Sequence, residues 1–405
     1  MITILALTIL LALTLNYLFT KIHLPGILGM ITTGFILGPS LLNVMGSETF
    51  DILGQFKTIA LIVILIRSGL GINKKTLKQI GSSSIKMSFI PGVFEGVTLM
   101  FMAHYFLGFT LIEGGILGFI IAAVSPAIVV PSMLRLKELK FGEKKAIPTL
   151  ILAGSSLDDV FAITIFSIFI GIASGEAINI PHLLLSVPLG IVIGAVIGIL
   201  IGFVLIWYFK KVHMRDTKKV IVFLLISVLF YEFTEISIIK DFIPIAGLLG
   251  IMATGFIILE KYDTLANRLA LKFGKVWVLA EILLFVYIGS SIDIKSIHSS
   301  TIGTGILILS IGLLSRSLGV WVSLLGSKLN TKEKIFSMIA YLPKATVQAA
   351  IGAVPLTMVY AKKITSISED TAHIILTIAV LSIVFTAPIG AIGIELSAPK
   401  LLEKE

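Results

Sequence analysis

Residues 147–173 read IPTLILAGSSLDDVFAITIFSIFIGIA. About 20 apolar residues are enough to cross the hydrocarbon of a bilayer as a helix, so this run is long enough to span it. Near its centre stand two adjacent carboxylates, Asp158 and Asp159. Each costs at least ~2.5–3.5 kcal/mol at that depth on insertion scales, so two together are not idle. Membrane helices that keep buried carboxylates use them to hold a cation or relay a proton.

The rest of the chain has the same character. Of 405 residues, 57% are hydrophobic and 14% charged, which describes an all-α polytopic membrane protein and excludes an ordinary globular domain. Apolar runs of spanning length recur at 2–19, 24–41, 51–70, 87–107, 112–133, 147–173 and 183–209. They continue at 220–236, 243–259, 276–290, 301–325, 335–358 and 371–393, so thirteen transmembrane helices are predicted. The first run carries neither a basic leader nor a small-residue cleavage site and is expected to be a retained helix. The absence of cysteine removes disulfide and thiol chemistry.

The net charge of +9 invites a nucleic-acid reading, but its placement argues otherwise. Connectors after odd-numbered spans, with the C-terminal tail, hold 24 Lys and Arg; those after even-numbered spans hold 4. This is the positive-inside bias, which puts the N-terminus outside and the C-terminus in the cytoplasm. An odd number of spans follows.

Two distant segments read alike. Gly29-Met-Ile-Thr-Thr-Gly34-Phe35 in span 2 matches Gly250-Ile-Met-Ala-Thr-Gly255-Phe256 in span 9, 221 residues on. Seven spans separate them, so the copies cross in opposite directions, as in an inverted-topology transporter repeat. Span 5 contains Ser125-Pro126 and Pro131, and span 12 contains Pro343-Lys344 and Pro355, again seven apart. Proline removes a backbone donor and interrupts a helix. Paired interruptions point to a transport site near the midplane, on two broken helices. In span 7, Gly190, Gly194, Gly198 and Gly202 form a small-residue face, read as packing.

Few ionisable groups remain at depth: Lys57, Arg67, Glu95, Asp158, Asp159, Glu281, Arg316 and Lys344. At 1.5 Å per residue, Glu95 lies about 12 Å from the cytoplasmic end, Arg316 and Lys344 about 14 Å, and Asp158 about 17 Å. These four can share one layer, where opposite charges must pair. Glu95 and Arg316, seven spans apart, are expected to form a core ion pair, because a guanidinium stays charged and fits a carboxylate bidentately. The pair is either a fixed clamp or a switchable partner of the ion. Lys344, at the span 12 break, is expected to answer the partial charge of half-helix carbonyl ends, with a part in the proton cycle as the other reading. Lys57, Arg67 and Glu281 are explained by snorkelling or local pairing as well as by a functional role.

Adjacent helix residues point about 100° apart, so one aspartate should line the ion site while its neighbour orients it. Na⁺ or Li⁺ wants hard oxygen ligands, which makes the hydroxyls of Ser125, Ser155 and Ser156 candidate neutral ligands beside Asp158 and Asp159. Serine also bonds back to its own helix, the bland alternative.

Five segments are now specific enough to carry a resemblance. They are Ala60-Leu-Ile-Val-Ile-Leu-Ile-Arg67-Ser-Gly-Leu-Gly71, Ala123-Val-Ser125-Pro126-Ala-Ile-Val-Val-Pro131, Gly154-Ser-Ser-Leu-Asp158-Asp159, Ala280-Glu281-Ile-Leu-Leu-Phe-Val and Leu342-Pro343-Lys344-Ala-Thr-Val-Gln348. The chain resembles the NHA subfamily of sodium/proton antiporters, within the monovalent cation:proton antiporter superfamily. The resemblance implies an NhaA-like fold and a homodimer. Residues 1–82 and 213–298 would form the dimerisation domain, 83–178 and 299–396 the ion-carrying core, 179–212 a linker helix and 397–405 a cytoplasmic tail. It also implies that Asp159 is the essential ion and proton carrier. Relatives outside the NHA group pair the first aspartate with a lysine in the place Arg316 holds here, with Glu95 as its expected partner.

The expected function is exchange of Na⁺ (or Li⁺) for H⁺ by alternating access across the cell membrane, with no enzymatic activity, no cofactor and no nucleic-acid partner. K⁺/H⁺ exchange is the nearest alternative. A channel lacks a carbonyl-ring filter sequence, and an intramembrane aspartyl protease needs its two aspartates opposed on separate helices.

Overall fold

Where these helices begin and stop follows from caps and prolines. In the computed structural model, residues 2–22, 26–38, 41–45, 47–72, 74–175, 180–236, 245–290 and 299–404 are described. Among them the chain is helical with no β-strand; an isolated bridge joins Phe141 to Lys404. Among the described residues, eight helical stretches are long and apolar enough to cross a membrane.

The helices are α1 Ile2–Lys21, α2 Gly26–Leu37, α3 Ser47–Gly71, α4 Lys74–Leu107, α5 Leu111–Ile121 and α6 Pro126–Glu138. Then come α7 Ile147–Ala173, α8 Ile180–Lys211, α9 Asp216–Glu235, α10 Gly247–Lys261 and α11 Asp263–Ser290. The last are α12 Ser299–Ser323, α13 Thr331–Ala340, α14 Thr346–Ile351, α15 Val354–Tyr360 and α16 Glu369–Leu401. Helix α4 kinks at Gly81, whose φ of 51° is readily adopted only without a Cβ.

Contacts divide the chain into two compact units: Met1–Thr49 with Ile80–Leu183 and Phe285–Glu405, and Phe50–Gln79 with Leu184–Leu284. The first holds both interrupted spans. Helix α5 is started by a capping box between Thr110 and Glu113 and stops at Ile121; α6 restarts at Pro126, where a missing donor costs nothing. Helix α13 is started by an Asn330–Glu333 capping box and stops at Ala340. Its continuation is broken twice, before Thr346 and again near Pro355. Pro131, by contrast, is carried inside α6 without ending it. The two breaks meet: the Ser125 amide donates to the Pro343 carbonyl at 2.8 Å. An apolar cluster including Leu99, Phe119, Ile120, Ile308 and Ile375 packs around them.

In the second unit the glycine face of α8 lies on α10. Gly198 abuts the Gly250 backbone, and Thr254 donates to the Gly198 carbonyl at 2.8 Å. So close an approach requires small residues on both helices.

The internal likeness extends to packing. In the first unit Gly34 abuts the backbone of Val286 and Ser290. In the second, Gly255, 221 residues further on, abuts Ile66, Gly69 and Leu70. The same helix pairing therefore occurs twice, with the two halves of the chain exchanging roles.

Candidate ion-binding site

The site lies in the first unit, where α7 passes the two breaks. Asp158 is buried; its Oδ2 accepts from the Val124 amide in the α5–α6 break at 2.7 Å and from Arg316 Nη2 at 2.9 Å. A buried carboxylate is tolerable only with such partners. Arg316, on α12, is fully buried. Its Nε donates to the Tyr341 carbonyl at 2.7 Å, and Nη1 donates to Glu95 Oε2 at 2.7 Å and to the Ala122 carbonyl. The guanidinium also lies 5.4 Å from the Tyr341 ring centroid. Lys344 Nζ donates to the same Glu95 oxygen at 2.5 Å, while its amide donates to Thr386 Oγ1 at 2.8 Å.

The expected Glu95–Arg316 contact is thus one edge of a four-membered network. Two carboxylates face two cations, and their formal charges cancel. Lys344 departs from the expected arrangement. Its ammonium reaches Glu95, and the half-helix carbonyls are met by other donors: Arg316 takes those of Ala122 and Tyr341. Gln348 Nε2 takes those of Ile120, Ile121 and Ala123 at 3.0, 3.2 and 3.0 Å. A planar, many-donor side chain can serve several carbonyls at once, which an ammonium committed to a carboxylate cannot.

Asp159 is left over. It is half-buried, and its Oδ1 is shielded from solvent without a hydrogen-bond partner. Asp158 Oδ1 and Glu95 Oε1 are likewise buried and unpartnered. These oxygens are hard acceptors of the kind a monovalent cation takes. Of the three candidate hydroxyls, Ser125 Oγ lies 3.5 Å from Thr346 Oγ1 across the breaks. Ser155 bonds back to the Leu152 carbonyl at 3.3 Å. The side chain of Ser156 lies outside the described residues.

Sequence reasoning assigned no role to Gln348, Tyr341 or the Val124 amide. Gln348 had a signal, being a buried amide in an apolar span, a group that must find partners. Tyr341, buried with its hydroxyl unpartnered against Gly154, carried none beyond its place beside the break.

The fold is that of a polytopic antiporter. The structure of the sodium proton antiporter MjNhaP1 from Methanocaldococcus jannaschii at pH 8 matches with a TM-score of 0.78, covering 99% of this chain and 98% of that one at 20% identity. The family described as "Sodium/hydrogen exchanger, transmembrane" matches residues 6–395. Sodium/hydrogen exchanger 9B2 of Homo sapiens is 36% identical over 386 residues, 94% of this chain and 70% of the relative. Sodium/hydrogen exchanger 9B1 of Mus musculus is 33% identical over 383 residues, 94% and 66% respectively. The chain belongs to the sodium/hydrogen exchanger family and is a multi-pass membrane protein.

Proposed function

We propose that this protein exchanges Na⁺ (or Li⁺) for H⁺ across the cell membrane by alternating access, with Asp159 as the shared carrier. One observation carries the assignment: the neighbouring network is neutral by itself, whereas among the described residues Asp159 is in no ion pair and its buried Oδ1 receives no donor. A lone carboxylate at this depth is costly until something neutralises it. A proton does so, and so does a monovalent cation, but not both together. Only the neutralised site crosses cheaply, which couples the two gradients.

In this reading Asp158 orients the site, fixed by Arg316 and the Val124 amide, with one oxygen left for the ion. Glu95, Arg316 and Lys344 keep the core electrically balanced and join α4, α12 and the second break. Ser125, Ser155 and Ser156 are candidate neutral ligands. With the network holding fixed charge, one H⁺ exchanges for one Na⁺, and no cofactor takes part. The chain works as a homodimer of thirteen spans, N-terminus outside and C-terminus in the cytoplasm. Residues 83–178 and 299–396 form the moving core, 1–82 and 213–298 the dimerisation domain, and 179–212 the link. The paired helix breaks, the recurrent packing 221 residues apart and the basic bias support inverted repeats in that arrangement.

The test is purified protein in liposomes with a trapped pH dye. External Na⁺ or Li⁺ should alkalinise the interior, while Asp159→Asn should abolish the signal and leave melting unchanged. Sodium-driven proton movement through the Asn variant, or a response to K⁺ alone, would overturn the reading. For one-for-one exchange the rate is indifferent to an imposed potential. Two-for-one exchange would gain about 2.3 kcal/mol per 100 mV.

A further inference from the structure

One cluster of metal-ligating side chains stands apart from the carrier. In the first unit α15 ends at Tyr360 and α16 begins at Glu369, and three side chains meet across that junction. The Tyr360 hydroxyl donates to Glu369 Oε1 at 3.0 Å and lies 3.1 Å from His373 Nε2. His373 Nε2 is 3.7 Å from the same carboxylate oxygen. Glu369 and His373 are four residues apart on α16, the spacing that stacks two side chains on one helix face. By the same spacing a helix offers two ligands to a single metal ion.

The junction is held from both sides. The Lys362 amide donates to the Val359 carbonyl and the Lys363 amide to the Met358 carbonyl, both at 2.9 Å, which closes α15 behind Tyr360. Ile364 and Ile367 are buried, and Ser366 Oγ donates to the Ala173 carbonyl at 2.7 Å. Ser368 then caps α16, its hydroxyl accepting from the Thr371 amide at 3.1 Å. The helix macrodipole accounts for Glu369 and Asp370 in the first turn of α16. It does not account for an imidazole and a phenol closing on one oxygen of that carboxylate.

We propose that Tyr360, Glu369 and His373 bind a divalent transition-metal ion of the Zn²⁺ type. Zn²⁺ takes nitrogen and oxygen donors at about 2.0–2.2 Å in a tetrahedron, which sets the ligand atoms about 3.3–3.6 Å apart. The three donor atoms here are separated by 3.0, 3.1 and 3.7 Å, close to one face of that tetrahedron. Among the described residues no group of three His, Asp and Glu side chains is placed to hold an ion, so the phenol supplies the third donor. Neutral imidazole, ionised carboxylate and a phenol lone pair bind without any proton having to leave. The Glu369 side chain is 60% exposed, which leaves water as the fourth ligand. Imidazole favours Zn²⁺ over Mg²⁺, which prefers oxygen donors and keeps its own waters. In the proposed topology this end of α16 faces outside, and the site stands whether or not Asp159 carries the ion.

The untagged full-length protein in a mild neutral detergent is titrated with Zn²⁺ or Mg²⁺ by calorimetry, in a buffer that does not chelate metals. Zn²⁺ should bind saturably at one ion per chain, at least about a hundredfold more tightly than Mg²⁺. His373→Gln should weaken it about a hundredfold and Tyr360→Phe about tenfold, the range seen when a ligand or its support is lost. His213→Gln, an equal loss of a histidine in the other unit, should leave it unchanged. Melting without metal checks that each variant is folded. Zn²⁺ binding that is unaltered by Tyr360→Phe, or that falls equally in His213→Gln, would overturn the proposal and leave an adventitious ion only. Equal affinity for Mg²⁺, or no saturable Zn²⁺ binding by the wild type, would do the same.

Discussion

Replacing Glu95 with glutamine removes one charge from a buried set of four that is neutral as it stands. Glu95 Oε2 is shared by Arg316 at 2.7 Å and Lys344 at 2.5 Å, so the change leaves both cations facing Asp158 alone. Breaking a buried ion pair by removing one partner costs about 3–5 kcal/mol, because the other charge stays buried. Lys344 has the larger loss, since Arg316 retains Asp158 and two carbonyls. Adding Lys344→Gln restores the balance, and the double variant should recover about 2 kcal/mol, within the coupling seen between contacting residues. Melting of the three variants in detergent gives the cycle, and sodium-driven alkalinisation in liposomes gives the activity. The single variant should melt several degrees lower, with its activity falling in proportion to the folded fraction. Glu95→Gln that melts like the wild type while exchange collapses would refute the clamp and make Glu95 a partner of the ion.

Gln348→Ala strips the donor from the Ile120, Ile121 and Ala123 carbonyls and should destabilise the protein by about 1–3 kcal/mol in the same melt, from a buried acceptor set left unmet. Gly198→Val places a branched side chain against the Gly250 backbone. It should lower melting and yield while leaving the exchange stoichiometry of the surviving protein unchanged. With H⁺ and Na⁺ competing for Asp159 as proposed, apparent Na⁺ affinity should fall with falling pH, by at most about tenfold per unit for one displaced proton. Affinity that is flat from pH 6 to 9 would mean that the two ions do not share the carboxylate.

Much of the fold was legible because its determinants are local. Spans are read from runs of apolar residues, and the breaks from Pro126, Pro343 and Pro355, where an absent donor interrupts the hydrogen-bond ladder. Pro131 shows the limit of that reading, since the same residue is carried within α6. The common depth of Glu95, Asp158, Arg316 and Lys344 needs only a rise per residue. Which atom bonds to which does not follow from depth. That Arg316 takes Asp158 and leaves Asp159 depends on where the Val124 amide and the Ala122 carbonyl fall once the breaks have met. Gln348 was illegible as a cap for the same reason. Its three acceptors lie 225 to 228 residues away, on a helix end that exists only in the folded chain.

Three contacts join residues 221 positions apart: Glu95 with Arg316, Ser125 with Thr346, and the Phe94 carbonyl with Ser315. Each residue here touches its own counterpart in the other half. Had both halves begun as copies of one ancestral gene, such positions would have faced themselves. Serine facing serine or threonine is harmless, so Ser125 and Thr346 were free to stay nearly alike. Glutamate against glutamate, or arginine against arginine, is intolerable in a dry interior. The self-facing positions are therefore where two duplicated halves are compelled to diverge first, and the opposite charges of Glu95 and Arg316 mark such a place.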